Sequence, residues 1–579
     1  MPTSTRWLSL TPFRSLMAAL SAVVGAYLVA AVLALGALVA AVFLGPVLLT
    51  WLLWLISFVI VVAGAWWATR GAASLRDLRP TGEYVQGRVL LVMAATTVAG
   101  SRAGNDGRWA MVLGSLVLGA ALLGEVVVLK VGRAARPYAA NLPGIEVRNR
   151  ALLPLNWLFT CDTAAIAAFA VLSALVQAGL PAWLLLLPAA AAGIPVAVAL
   201  ADCLLRLRAR QRAELKLHHA LEDYAPAFLL YWEAPCGSSH QIAMWLPFLE
   251  RLERRFIIVL RTPDTFAETL QLTEAPVIVR RYVSELDTLI TSSLKAAFFV
   301  NTAPKNAHMV HYLGVTQIQL NHGDSDKAPS YRRVFRMYDR NFVAGQAAID
   351  RFASHGVEVP RDAFEIVGRP QVESIEVAAA PITANTAKRV LYAPTWFGYL
   401  EDSRYSSLPI GAAVVQALIE RGCTVIFRPH PWTARTPALA AAAAEIDGLL
   451  AADMGRTGRQ HRFGSAATAG SIFETFNAAD AMVSDVSSVI PDFLYSEKPF
   501  AVTSMVPGVE MEEFIKEFPL AQAGYVLAGD LSNLDRVLTD LLDTDPVVGR
   551  RRELKTYYLG DFPPEKYAEG FLTAAQRYL

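Results

Sequence analysis

The chain has 579 residues, 54% of them hydrophobic, and a formal net charge of +1. That balance excludes a nucleic-acid binder driven by bulk positive charge, and no nucleic-acid partner is expected. A mean hydropathy of +0.36 is too high for an ordinary soluble protein. The apolar excess sits in the first 205 residues, which leaves length for about two further domains. Cys161, Cys203, Cys236 and Cys423 show neither CxxC nor metal-ligand spacing and read as thiols of a reducing compartment.

Residues 16–44 form a long apolar run closed by Gly45-Pro46, and residues 47–68 follow at once. Each is long enough to span a bilayer, and together they predict a helical hairpin. The first run is too long, and too closely followed by the second, for a cleaved signal peptide. Trp51, Trp54, Trp66 and Trp67 fit interfacial aromatics. Residues 110–131 predict another span, residues 163–178 and 181–205 a second hairpin about Gly179-Leu180, and residues 85–100 a shorter apolar segment.

Basic residues cluster at Arg70, Arg76, Arg79 and Arg88, at Lys130, Arg133, Arg136, Arg148 and Arg150, and at Arg206, Arg208, Arg210, Arg212 and Lys216. With all three clusters on the cytoplasmic side, residues 85–100 become a short or re-entrant crossing and 101–108 its outer turn. The expectation is six spans within residues 1–210, both ends inside, in the plasma (inner) membrane; five spans is the alternative. Glu125, inside the third long run, reads as snorkelling or paired with Lys130.

From about Glu214 the composition is that of a soluble α/β protein, expected on the cytoplasmic side of the membrane. Strands are predicted at 227–232, 256–260, 296–300, 317–320 and 342–345, and helices at 242–254, 264–272 and through Ala353. A small, Pro-containing linker at 377–385 precedes a second unit that restarts at 389–396, with a strand at 424–427 and helices at 411–421, from Ala438 and at 531–542. Short continuous apolar strands alternating with helices predict parallel sheets covered on both faces. The domains are thus 1–210, 214–376 and 386–579, the last two Rossmann-like, with ligands at the carboxyl ends of the strands.

Three strand-end loops carry the chemistry. Asn321-His322-Gly323-Asp324-Ser325-Asp326-Lys327 offers an imidazole that is a base near neutral pH and a glycine that admits close approach. In Phe427-Arg428-Pro429-His430-Pro431 two prolines pre-organise a phosphate-matching Arg428 and His430. Residues 479–500 run from a strand through Ser484-Asp485-Val486-Ser487-Ser488 into a helix, either an anion cradle or an ordinary serine N-cap.

In this order, His322-Gly323 with Lys327, Tyr392-Ala-Pro-Thr-Trp396, Arg428-Pro-His-Pro431 and the Ser-Asp-Val-Ser-Ser turn resemble the CDP-glycerol glycerophosphotransferase family of teichoic-acid synthesis. Phe342-Val-Ala-Gly345 and Ile366-Val-Gly-Arg-Pro370 also match its pattern. The resemblance implies a GT-B fold, no metal or other cofactor, and transfer of glycerol phosphate from a CDP-activated polyol donor to a hydroxyl of a lipid-linked acceptor. It implies His322 as base and His430 at the diphosphate, with Arg428, Lys327, Ser484, Ser487, Ser488 and Thr395 around the donor phosphates. Asp324 or Asp326, by proximity in sequence, would orient His322. The chain departs from the family at Phe397 and Gln371, where arginines are common, at the two aspartates of the His322 loop, and in its multi-span region. Two alternatives remain open: a GT-B glycosyltransferase using a nucleotide sugar, and a non-catalytic membrane scaffold that keeps the fold.

Overall fold

The computed structural model describes residues 28–70, 84–100, 105–136, 138–323, 326, 328–397, 404–506 and 508–579. The start of the first apolar run, Arg76 and Arg79, part of the 101–108 turn, and Asp324, Ser325 and Lys327 lie outside these residues. The chain divides into two compact units, Met1–Ala139 with Ile145–Lys216, and Ala140–Gly144 with Leu217–Leu579.

The first unit is helical. Among the described residues, three helices are long and apolar enough to cross a membrane: Gly107–Ala134, Trp157–Gln177 and Ala182–Tyr224, the last running on past the unit. Leu28–Phe43, Leu48–Gly64 and Val85–Gly100 are shorter apolar helices. Ala95, Leu118, Leu122, Phe169 and Ala192 pack inward, while Leu113, Leu116, Leu123, Val171, Leu187 and Ile194 point outward and stay exposed. An apolar exterior on that scale needs a cover other than water. Glu125 does not use Lys130. Its carboxylate takes both terminal nitrogens of the buried Arg88, at 2.8 and 3.2 Å, and the Arg88 guanidinium lies 4.6 Å from the Phe159 ring centre. Two neighbouring helices meet there, and a partner within the bundle replaces the route to solvent that Lys130 would need.

The second unit holds two sheets. The first contains β1 (Ala139–Ala140), β2 (Phe228–Trp232), β3 (Phe256–Leu260), β4 (Val277–Val279), β5 (Ala296–Phe299), β6 (Thr316–Gln319), β7 (Arg340–Val343) and β8 (Phe364–Ile366), in the order β1-β4-β3-β2-β5-β6-β7-β8. The second contains β9 (Arg389–Ala393), β10 (Thr424–Phe427), β11 (Ala481–Asp485), β12 (Phe500–Ser504) and β13 (Tyr525–Ala528), in the order β10-β9-β11-β12-β13. From β2 onward every pairing is parallel. All five residues of β2 and of β3 are buried, which is why these strands read as unbroken apolar runs. Leaving aside the edge strand β1, the strand order in each sheet reverses once, between β2 and β5 and between β9 and β11. At such points the connections leave in opposite directions and open a crevice at the carboxyl ends.

Two expectations are revised. The helix expected over 242–254 is two short ones, His240–Ala243 and Leu246–Glu250. Pro247 has no N–H for the Ala243 carbonyl, and its ring crowds that carbonyl, so the first helix stops there. The final stretch does not stay with the second half. The helix Glu569–Gln576 puts Phe571, Ala574 and Ala575 into the core of the first sheet, with Phe571 5.1 Å from Trp245. Tyr578 takes a hydrogen bond from Arg340 Nε at 2.8 Å, so the chain crosses back and ties the two halves together.

Candidate active site

The loop after β6 presents His322. Asn321 adopts a left-handed conformation, φ 59°, which asparagine tolerates better than most residues. It is fixed there on three sides: its N–H donates to the Gln319 side chain at 2.9 Å, its carbonyl accepts from Trp245 Nε1 at 2.6 Å, and its side chain accepts the His322 N–H at 3.0 Å. His322 Nδ1 lies 2.7 Å from the Val300 carbonyl. A carbonyl only accepts, so Nδ1 carries the proton and Nε2 holds the lone pair. Burial pushes this imidazole down to about 4, against the Val300 hydrogen bond and helped by the nearby His240 and Arg369. At neutral pH it is an uncharged base.

In the second half Asp485 organises the loops. Its buried carboxylate accepts the Thr395 N–H at 3.0 Å on both oxygens, the Ser407 N–H at 2.8 Å and the Ser407 hydroxyl at 3.0 Å. The ends of β9 and β11 are thereby joined to the start of the helix Leu408–Glu420. The next loop lies alongside, because the His430 N–H donates to the Pro394 carbonyl at 3.1 Å. His430 Nδ1 accepts the Trp432 N–H at 3.0 Å, so here Nε2 carries the proton. The His430 ring stacks on Trp396 with centroids 5.9 Å apart.

The two histidines therefore hold opposite tautomers. His322 offers a lone pair and His430 offers an N–H. The His322 loop meets the serine turn: a Cβ at Gly323 would lie 3.0 Å from Ser488 Cβ and 3.1 Å from its Oγ, so a larger residue there would push the serine aside by a few tenths of an ångström. Beside them the buried Arg369 forks onto Asp492 at 2.7 and 3.1 Å, bridging the halves. Ser488 precedes the helix Val489–Leu494 without capping it. Among the described residues the Ser487 and Ser488 hydroxyls make no hydrogen bond, which removes the ordinary-cap reading.

Other expected residues have different duties. Ser484 is fully buried and donates to the Ala393 carbonyl at 2.6 Å, stitching β11 to β9 rather than facing a ligand. Thr395 is buried, with its backbone spent on Asp485 and Ser406. Arg428 sends its terminal nitrogens to the carbonyls of Ala467 and Gly470 at 2.8 and 2.9 Å and to the Thr475 hydroxyl at 3.0 Å. That guanidinium shapes the 467–475 stretch instead of standing as an open fork. Asp326 does not orient His322. Its carboxylate binds Arg351 at 3.0 Å and accepts the Leu520 N–H at 3.2 Å, and Val300 does the orienting. Asp324 and Lys327 lie outside the described residues.

Sequence reasoning passed over Asp485, Arg369 and His240. Asp485 stood inside a motif read for its serines, and Arg369 inside a motif read for its turn. His240 belongs to no motif and follows β2, on the other side of the sheet's reversal point.

Residues 263–505 match the model of a family described as CDP-Glycerol:Poly(glycerophosphate) glycerophosphotransferase. Among solved structures, the chain is similar to the wall teichoic acid polymerase TagF at 13% identity and a TM-score of 0.39, covering 65% of this chain and 95% of that one. It is similar to a UDP-N-acetylglucosamine 2-epimerase at 12% identity and a TM-score of 0.39, covering 61% and 95%. No curated protein matches the chain.

Proposed function

We propose that the chain, whose residues 263–505 match the CDP-glycerol glycerophosphotransferase model, is a membrane-bound transferase of that kind with a cytoplasmic catalytic part. It moves glycerol phosphate, or a related polyol phosphate, from a CDP-activated donor to a hydroxyl of a lipid-linked cell-envelope polymer precursor. The observation that carries this reading is the pair of opposite tautomers at His322 and His430, with the His322 loop set against the serine turn at Gly323 and Ser488.

Phosphoryl transfer of this kind asks for little beyond an activated hydroxyl, alignment and charge stabilisation. His322 Nε2 takes the proton of the acceptor hydroxyl as that oxygen bonds to the donor's outer phosphorus. The bond from this phosphorus to the oxygen of CMP breaks, and CMP leaves with the electron pair. His430 Nε2–H and the Ser487 and Ser488 hydroxyls donate to the phosphate oxygens, whose charge they stabilise. Arg428 and Asp485 hold the donor-side loops, and Arg369 with Asp492 holds the halves in register.

The three long apolar helices and the exposed apolar side chains of the first unit support a multi-pass anchor in the plasma membrane. Six crossings follow if the shorter helices also span and the basic clusters stay on the cytoplasmic side.

One observation favours a nucleotide sugar as donor instead. Gln371, where the family commonly has arginine, turns away to donate to the Met244 carbonyl at 3.1 Å, and Phe397 packs against the second core. The purified full chain is to be given CDP-glycerol, CDP-ribitol and UDP-sugars with a lipid-linked acceptor, scoring thermal shift and product mass. A CDP-polyol that stabilises the protein and extends the lipid by one polyol phosphate supports the reading. Selective stabilisation and turnover by a UDP-sugar replaces it.

A further inference from the structure

The reversal point of the first sheet lies between β2 and β5, and the residues that leave these strands are Glu233 to His240 and Val300-Asn301. His322 already leans on Val300 from the next strand over. The loop after β2 approaches from the other side, and its last residue, His240, opens the short helix His240–Ala243.

His240 is held in place by its neighbour. The Gln241 side-chain oxygen accepts Trp232 Nε1 at 3.0 Å and Asn301 Nδ2 at 2.9 Å. The loop is also fastened across the cleft, since Trp432 Nε1 donates to the Gly237 carbonyl at 3.3 Å and Arg435 donates to the Cys236 carbonyl at 3.2 Å. These bonds set the His240 ring edge-on to two others. Its centroid lies 6.4 Å from that of His322 and 6.5 Å from that of Trp432.

We propose that His240 is a positioning residue for proton transfer, receiving from His322 the proton that the acceptor hydroxyl releases and passing it to solvent. This rests on the functional reading above. Ring nitrogens stand about 1.2 Å from their centroids, so one bridging oxygen, of water or of the acceptor, fills the span between the two rings. His240 keeps an open face toward solvent, whereas His322 is partly buried and surrounded. The balance is simple. The hydroxyl proton goes to His322 Nε2, an N–H breaks there and one forms on His240, and His240 returns it to bulk water, so both rings end neutral.

Burial of the His240 ring among these loops lowers its pKa from the ordinary histidine value, which keeps it uncharged and ready to accept. Among the described residues, the charged and titratable groups near the pair include Arg369 beside His322, Glu268, whose carboxylate accepts the Gly237 N–H at 3.0 Å, and Arg435 and His430 from the opposite loop. A His322 that must release its proton beside Arg369 gains most from a neutral acceptor close by.

The test compares His240→Phe and His240→Ala in the full chain, using whichever activated donor the wild type consumes. Phenylalanine keeps the ring contacts with His322 and Trp432 but carries no proton. The expected result is a fall in kcat of about ten- to a hundredfold for both variants, with donor KM unchanged. The acid limb of the kcat profile should move in both, and added imidazole should restore His240→Ala but not the ring-filled His240→Phe. His240→Phe with wild-type kcat and pH profile would reduce the residue to packing and overturn the proposal. So would a slow His240→Ala that imidazole fails to rescue. Turnover of none of the donors by the wild type would overturn the functional reading together with this proposal.

Discussion

Asp485→Asn removes one charge from the centre of the donor-side loops and changes almost no volume. The carboxylate serves three donors, the Thr395 N–H, the Ser407 N–H and the Ser407 hydroxyl, all buried. Asparagine keeps one accepting oxygen and turns an NH₂ toward donors that need an acceptor. Hydrogen bonds to a charged group are worth about 1.5–3 kcal/mol, and a buried donor left without a partner costs about 1–3 kcal/mol. Losing one or two of the three therefore predicts a destabilisation of about 3 kcal/mol. For a domain of this size that lowers Tm by about 6–12 °C. Differential scanning fluorimetry of the full chain measures it, and donor titration should show weaker binding because the Thr395 and Ser407 segments lose their common anchor. A Tm within about 2 °C of wild type, with unchanged donor affinity, would refute the argument that one carboxylate holds these loops.

Ser487→Ala combined with Ser488→Ala should weaken donor binding by about tenfold or more while leaving Tm unchanged, since neither hydroxyl caps the helix. Gly345→Ala should destabilise far more than Gly323→Ala. Its Cβ would fall 2.5 Å from the Tyr557 carbonyl oxygen and 2.6 Å from the Tyr558 backbone, against 3.0 Å from a side chain at Gly323. Between about pH 4 and the ordinary histidine range the unfolded chain binds a proton at His322 that the folded chain does not. Stability should therefore rise with pH through that window, and His322→Gln should flatten the rise in pH-dependent melting curves.

What the sequence revealed followed periodicity and punctuation. Runs such as Phe256–Leu260 and Thr424–Phe427 are strands because both faces are covered, and their bounds were legible. The short β4 and β8 were not, since three-residue strands carry too little pattern. The loops bearing His322, His430 and the serine turn were legible as strand ends. Their inner chemistry was not, because hydrogen-bond partners far along the chain decide it. Asp326 looked like an orienter from its place four positions after His322 in the same loop, yet it pairs with Arg351. Ser484 and Ser488 belong to one turn, but strand alternation sends the first into the sheet, and the second faces Gly323. His240 stands eighty-two positions before His322 and meets it only because β2, β5 and β6 lie side by side in the sheet.

The division of labour between the two imidazoles is tested most directly by single-turnover transfer and equilibrium donor binding on His322→Ala and His430→Ala. With a neutral base at His322 and an N–H donor at His430, His322→Ala should slow transfer by about 10²–10⁴ while leaving donor affinity nearly unchanged. His430→Ala should weaken both donor binding and transfer. Loss of donor binding in His322→Ala alongside intact binding in His430→Ala would contradict the assignment, and full activity in both variants would remove the reaction from this cleft.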